Sequence, residues 1–187
     1  RPLTEEQRAQ QETYEVMIDR RSARVPLQQI LGSQEFMGLT FRVTPDVLIP
    51  RQDTETLVEQ VLQEQKDPDI RLLDLCTGSG CILLSLLHYS NDCEGTGVDI
   101  SKEALQVAAL NAELLGIKAD FLKSDLYEKV TGKFDLLVSN PPYIERKAIP
   151  TLMEEVREYD PYIALDGGED GLDFYRRIIG GAQDYLK

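Results

Sequence analysis

The sequence predicts an α/β fold built on a parallel, Rossmann-like sheet. Three observations carry this. From residue 70 onward, short apolar runs alternate with helical stretches. The runs at 70–75, 94–98, 118–122 and 134–139 are mostly apolar rather than strictly alternating, as expected of strands buried on both faces. The first run leads directly into the glycine-rich turn Cys76-Thr77-Gly78-Ser79-Gly80. Strands separated by helices imply βαβ units. Right-handed crossovers then lay the four strands in spatial order 3-2-1-4.

The elements follow in chain order. Residues 5–22 read as a helix with only a modest apolar face, supplied by Tyr14, Val16, Met17 and Ile18. Residues 26–32 form a second short helix or turn. Residues 35–43 read as a hairpin turning near Gly38. After Pro50, Asp53 or Thr54 caps a helix whose Leu57, Val58, Val61 and Leu62 share one face. Further helices are expected at 79–89 and at 102–115, the latter capped by Ser101 and stopped by Gly116. Another begins near Leu172. The domain plan is 1–32 as the remnant of an N-terminal helical substrate-recognition domain, 33–50 as a β-hairpin linker, and 51–187 as the main domain, incomplete at its C-terminal end.

Composition narrows the function. The chain has 187 residues, 42% of them apolar, with 20 Lys and Arg against 33 Asp and Glu and a net charge of -13. That balance disfavours direct nucleic-acid binding, which needs positive surface. No apolar run reaches a membrane span. Three cysteines are too few and too odd in number for a disulfide framework, which fits a cytoplasmic protein. One histidine, His88, and scattered cysteines offer no metal ligand set. Cys76 and Cys81 read as small packing residues with incidental reactivity. Arg20, Arg21 and Arg24 read as a solvated basic face. The acidic stretch 166–173 lacks calcium-loop spacing and reads as a helix-entry loop.

The glycine turn sits where the first strand meets a helix amino terminus, a place suited to a carboxylate or phosphate. Asp99 ends the second strand, placed to bind ribose hydroxyls. Leu83 stands where a dinucleotide fingerprint needs its third glycine, so a single nucleoside is favoured over a pyrophosphate cofactor. Asp125, past the third strand, can reach a purine amino group. The set reads as an adenosine site with an amino-acid tail, which fits S-adenosylmethionine.

Asn140-Pro141-Pro142-Tyr143 follows the fourth strand. Two prolines remove two N–H donors and fix φ. The carbonyls of Asn140 and Pro141 are then free to face a ligand, and the Asn140 side chain adds an acceptor. Tyr143 offers a ring for stacking. Together they suit a planar –NH2 group, activated by positioning and electrostatics rather than by a strong base.

These motifs resemble the HemK family of glutamine-amide methyltransferases, and within it the release-factor branch. The resemblance runs from about Pro26 to the last residue. It rests on Asn140-Pro141-Pro142-Tyr143, on Glu35-Phe36-Met37-Gly38 with Phe41-Arg42-Val43, on Leu48-Ile49-Pro50-Arg51-Gln52-Asp53-Thr54-Glu55, and on the Gly-rich segment beginning at Leu165-Asp166-Gly167-Gly168. It implies an S-adenosylmethionine-dependent methyltransferase fold and methylation of the glutamine in the Gly-Gly-Gln loop of peptide-chain release factors. It implies donor contacts from Cys76, Thr77, Gly78, Ser79, Gly80, Asp99, Asp125, Leu126 and Asn140. It gives catalysis to Asn140, Pro141 and Tyr143, and substrate binding to Asn140, Pro141, Pro142 and Tyr143. The expected state is a monomer. The sequence departs from the family at three places. Cys76 replaces a usual glycine, so that backbone is not expected to need positive φ strictly. Gln52 and Asp53 replace Pro and Glu. Leu126 stands where an aromatic often lies against adenine.

Two other readings share some of these features: an adenine amino-methyltransferase acting on nucleic acid, and a non-catalytic S-adenosylmethionine-binding module. The final helix should feed a fifth strand beside the fourth, and without it residues 134–139 would be an exposed apolar edge. The 187 residues are therefore expected to be part of a larger enzyme.

Overall fold

The computed structural model describes residues 4–90 and 92–187. Residues 1–3, at the start of the expected 1–32 unit, and residue 91 lie outside the described residues.

Helix α1 (Glu5–Ser22) starts at a capping box. The Thr4 hydroxyl accepts from the Gln7 N–H at 3.2 Å, and the Gln7 side chain accepts from the Thr4 N–H at 3.0 Å. None of its residues is buried, so its apolar side chains do not form a core face. It is tied to the rest of the chain at its C-terminal end. Arg21 pairs with Glu155 at 2.8 Å, and the Tyr159 hydroxyl donates to the Ala23 carbonyl at 2.5 Å. Helix α2 (Leu27–Leu31) follows. Strands β1 (Ser33–Phe36) and β2 (Leu39–Arg42) then form the expected antiparallel hairpin. Met37 and Gly38 both have positive φ (51° and 70°), as a two-residue hairpin turn requires. Phe36 and Phe41 are buried and meet edge to face with ring centroids 6.1 Å apart.

Helix α3 (Gln52–Glu64) starts two to three residues earlier than the Asp53 or Thr54 cap predicted from sequence. Arg51 is the N-cap residue and makes no side-chain capping bond. Thr54 lies inside the first turn, its N–H donating to the Arg51 carbonyl at 3.0 Å, and its hydroxyl accepts from Asn140.

The main sheet alternates with helices: β3 (Arg71–Leu75), α4 (Cys81–Tyr89), β4 (Glu94–Asp99), α5 (Lys102–Leu115), β5 (Asp120–Lys123) and β6 (Leu136–Ser139). All pairings are parallel and the order is β5-β4-β3-β6, the 3-2-1-4 order expected. Ser101 caps α5 by accepting from the Ala104 N–H at 3.0 Å. After β6 come a short 3-10 turn (Arg146–Thr151), α6 (Glu154–Arg157), α7 (Tyr162–Leu165) and α8 (Asp173–Tyr185).

Two strand starts differ from expectation by two residues, the other strand boundaries by at most one. Strand β5 starts at Asp120 rather than at 118, and β6 starts at Leu136 rather than at 134. Phe134 is drawn to the other side. Its N–H donates to the Tyr185 carbonyl at 2.8 Å, and its carbonyl accepts from the Lys187 N–H at 3.0 Å. Phe134 and Leu186 thereby form a parallel bridge, so this end of the predicted exposed edge is covered and Phe134 is buried.

The pleat of β3 sorts the core into two layers, because alternate side chains point to opposite faces. Ile70 and Leu72 join Leu83, Leu84, Leu86, Val58 and the hairpin phenylalanines on one side. Leu73 and Leu75 join Val98, Leu126, Val130, Phe134 and Ile178 on the other.

Candidate active site

Asp74 shares its strand face with Leu72 and is fully buried. Its Oδ2 accepts from the Thr77 hydroxyl at 2.6 Å, and its Oδ1 has no partner. Burial pushes this carboxyl up to about 7, against the pull of the Thr77 hydrogen bond. The next residue but one corrects an expectation from sequence. Cys76 does adopt positive φ, 59°, although it replaces the glycine common at such a turn. The strand-to-loop reversal demands it: Thr77 must present its N–H to the Val98 carbonyl, at 2.9 Å, directly after β3 ends. A non-glycine residue there holds about 1–2 kcal/mol of backbone strain. Burial also pushes the Cys76 and Cys81 thiols up to about 12, so neither carries incidental thiolate reactivity at neutral pH.

The loop is closed by Asp99. Its two oxygens accept from the Gly78 and Ser101 N–H groups, each at 2.9 Å. Asp99 thus fastens the glycine turn to the end of β4, and burial raises its carboxyl above the ordinary range despite these donors. A second anchor comes from α5. Asn111 is fully buried and bonds Arg42 through both backbone groups (2.7 and 3.1 Å) and the Ser79 carbonyl (2.9 Å). One side chain thereby joins the hairpin to the glycine turn.

Cys76, Thr77, Gly78, Ser79, Asp99, Asp125, Leu126, Asn140 and Pro142 line one cavity at the carboxyl ends of the strands. Gly80, Pro141 and Tyr143 do not. Gly80 sits behind the wall, with φ 80°, where an added Cβ would meet Ala108 and Leu84 at 3.2 Å. Pro141 is buried beneath the loop, and Tyr143 is 58% exposed outside the wall. Sequence reasoning missed the opposite wall. Pro50, Arg51 and Thr54 line it from the start of α3, Pro161, Ile163 and Ala164 from around α7, and Phe174 and Arg177 from α8. Arg177 pairs with Asp125 at 2.8 Å, which occupies one of that carboxylate's oxygens. The i, i+3 spacing of Phe174 and Arg177 on a helix was the available signal.

The Asn140 amide is oriented by its donor end. Its Nδ2 donates to the Thr54 hydroxyl at 3.2 Å, which leaves Oδ1 as the outward acceptor. The Ser139 hydroxyl donates to the Leu75 carbonyl at 2.6 Å and fixes the loop's first residue to β3. The segment expected to be a helix-entry loop has a further part. The Ile144 N–H donates to the Leu165 carbonyl (3.0 Å), the Gly167 N–H to the Ile144 carbonyl (2.9 Å), and the Arg146 N–H to the Gly168 carbonyl (2.9 Å). A Cβ on Gly167 would fall 2.7 Å from the Tyr143 Cα, and one on Gly171 would fall 2.4 Å from the Tyr143 carbonyl oxygen. Both glycines exist where backbone packs on backbone.

The segment after Pro50 is a hub for three separate segments. Arg51 pairs with Asp160 at 2.6 Å, Thr54 holds Asn140, and the Glu55 carboxylate accepts from the Met37 N–H at 2.7 Å. The Asp160 side chain is 1% exposed, and its Oδ1 has no partner. Burial raises its carboxyl, against the pull of Arg51.

Comparison with known proteins agrees with this architecture. The chain is 47% identical over 171 residues to the release factor glutamine methyltransferase of Geobacter sulfurreducens, covering 91% of this chain and 60% of that protein. It is 51% identical over 175 residues to the protein of the same name from Moorella thermoacetica, covering 91% and 61%. The chain therefore spans about 60% of the length of these relatives. Among solved structures it resembles a methyltransferase from Pyrococcus furiosus, with TM-score 0.60 and 19% identity over 90% of this chain and 74% of that one. It also resembles the Thermus thermophilus 16S rRNA N2 G1207 methyltransferase, with TM-score 0.59 and 23% identity over 83% of this chain and 38% of that one. Both show the fold. The family profile described as methyltransferase small domain matches residues 51–158, more than half of the chain, and the chain belongs to that family.

Proposed function

We propose that the protein transfers a methyl group from S-adenosylmethionine to the side-chain amide nitrogen of a protein glutamine, in the Gly-Gly-Gln loop of peptide-chain release factors, within the cytoplasm. The observation that carries this reading is the oriented Asn140 amide, whose Oδ1 faces away from Thr54 on a cavity shared with Asp99 and the glycine turn. The 47% and 51% identity to proteins named release factor glutamine methyltransferase supports the choice of substrate.

The residues present fit the donor. Asp99 and Asp125 put carboxylates on the cavity wall where ribose hydroxyls and a purine amino group find acceptors. Gly78 lines the same wall with nothing within 4 Å of where its Cβ would lie. When bound, S-adenosylmethionine supplies a methyl group on an electrophilic sulfonium. The protein's part is to hold the amide. The Asn140 Oδ1 accepts one of its protons, shifts density onto a poorly nucleophilic nitrogen and fixes its direction. The nitrogen gains a methyl group and gives one proton to solvent. Tyr143, exposed at the loop's outer side, covers the arriving peptide. Helices α1 and α2 form part of the surface that receives the release factor. With a net charge of -13, the protein is a weak candidate for the alternative adenine substrate in nucleic acid.

Incubation of the full-length protein with methyl-labelled donor and a release factor tests the reading. One methylated glutamine is expected. Label on DNA or RNA instead would favour the adenine reading.

A further inference from the structure

We propose that Asp160 is a positioning residue for amide recognition, acting through Arg51 and Thr54 on Asn140. This rests on the glutamine-amide reading above. Asp160 and Arg51 lie 109 positions apart and meet at 2.6 Å. The pair joins the two segments that form the cavity's far wall. Arg51 is followed by the first turn of α3, and Pro50, Arg51 and Thr54 all line the cavity. Asp160 is followed by Pro161, Ile163 and Ala164, which line it from the other segment.

The α3 amino terminus needs such a clamp. Its N-cap residue is Arg51, which makes no capping bond, so the first turn is not pinned in the usual way. The Asp160 carboxylate, nearly all buried, holds Arg51 from outside the helix. Thr54 lies three residues on, in the turn that this contact fixes, and its hydroxyl accepts from the Asn140 Nδ2, the contact that leaves Oδ1 on the other side. Gln29 backs the same segment by donating to the Tyr159 carbonyl at 2.9 Å. The chain of contacts is therefore Asp160 to Arg51, Arg51 to the helix start, and Thr54 to Asn140. Asp160 touches neither substrate in this scheme. It keeps the acceptor that does so in one orientation.

The experiment compares full-length wild type with Asp160→Ala, Asp160→Glu, Thr54→Val and the Asp160→Ala/Thr54→Val pair. It reads kcat and KM on a release factor and the donor Kd by calorimetry. Asp160→Ala is expected to lower kcat roughly 10- to 100-fold while donor Kd stays within about threefold. Asp160→Glu should recover most of the loss. Adding Thr54→Val to Asp160→Ala should cost less than about twofold more, because both act on Asn140. Arg51→Gln, at a half-exposed side chain, should show the same split and decides the matter if Asp160→Ala fails to fold. An unchanged kcat, an equal loss of donor affinity, or independent multiplication of the two single effects would overturn the inference. A wild-type protein that methylates no glutamine overturns the functional reading and this inference together. A competent wild type matched by both Asp160→Ala and Arg51→Gln overturns the inference alone.

Discussion

In the proposed reaction, Asn140 is the residue on which the chemistry turns. Its Nδ2 is committed to Thr54 and its Oδ1 is free, so removing the side chain takes away an acceptor without opening the glycine turn. Asn140→Ala should lower kcat by about 10²–10³ while donor Kd moves less than threefold, measured by single-turnover kinetics and calorimetry. Equal losses would remove Asn140 from the amide site. Asp74 carries a pH signature. Its carboxyl sits near 7 when folded and in the ordinary carboxylate range when unfolded. The folded state keeps that proton while the unfolded state releases it. Asp74 therefore contributes stability that is full below about pH 4 and is lost as pH rises to about 7. The full effect is at most about 4 kcal/mol. Urea unfolding of wild type and Asp74→Asn across that range should show the wild type losing ground with rising pH relative to the variant. Parallel curves would mean the carboxyl is ionised throughout. Asp99 shifts in the same direction, and the difference between the two proteins isolates Asp74.

The Gly-rich segment before α8 works as a unit. Gly171 has φ 77°, and its missing Cβ leaves room for the Tyr143 carbonyl. Gly171→Ala should displace the Asn-Pro-Pro-Tyr loop and lower kcat roughly 10- to 100-fold. Gly116→Ala is the control: φ is 66°, nothing lies within 4 Å, and only backbone strain of about 1–2 kcal/mol is expected, with kcat unchanged. Matching kinetics for the two variants would remove the segment's role in loop placement. The elements show what a sequence can and cannot reveal. Strand order, hairpin turn and the Ser101 cap were legible because each has a local cause: apolar runs, a glycine turn, a hydroxyl before a helix. The α3 cap was misread because the helix starts at Arg51, which carries no capping side chain and is held by Asp160, 109 positions away. The Arg51–Asp160 pair and the cavity wall at α7 were invisible for the same reason, since no local pattern marks a contact across the fold. Cys76 was misjudged because residue preference gave way to the hydrogen bond that Thr77 must make.

At the scale of the whole molecule, the far wall of the cavity is assembled from segments on both sides of the family's matched region, before residue 51 and after residue 158. The sheet provides the floor and the glycine turn, as expected of the family. The hairpin linker, α7 and α8 close the site; Asn111 and Glu55 fasten the hairpin, Asp160 the segment before α7, and Asp125 fastens α8 through Arg177. The acidic surface fits a protein partner better than a nucleic acid, whose phosphates it would repel. A gel-shift assay at low salt should show no binding to DNA or RNA, and salt-sensitive binding would revive the adenine reading. The central claim is amide methylation on a protein, and mass spectrometry of a release factor treated with the full-length protein and S-adenosylmethionine tests it most directly. The account predicts a single added methyl on the side-chain nitrogen of the Gly-Gly-Gln glutamine, formed about 10²–10³ times more slowly by Asn140→Ala. An unmodified glutamine, or a methyl on any other residue, would contradict it.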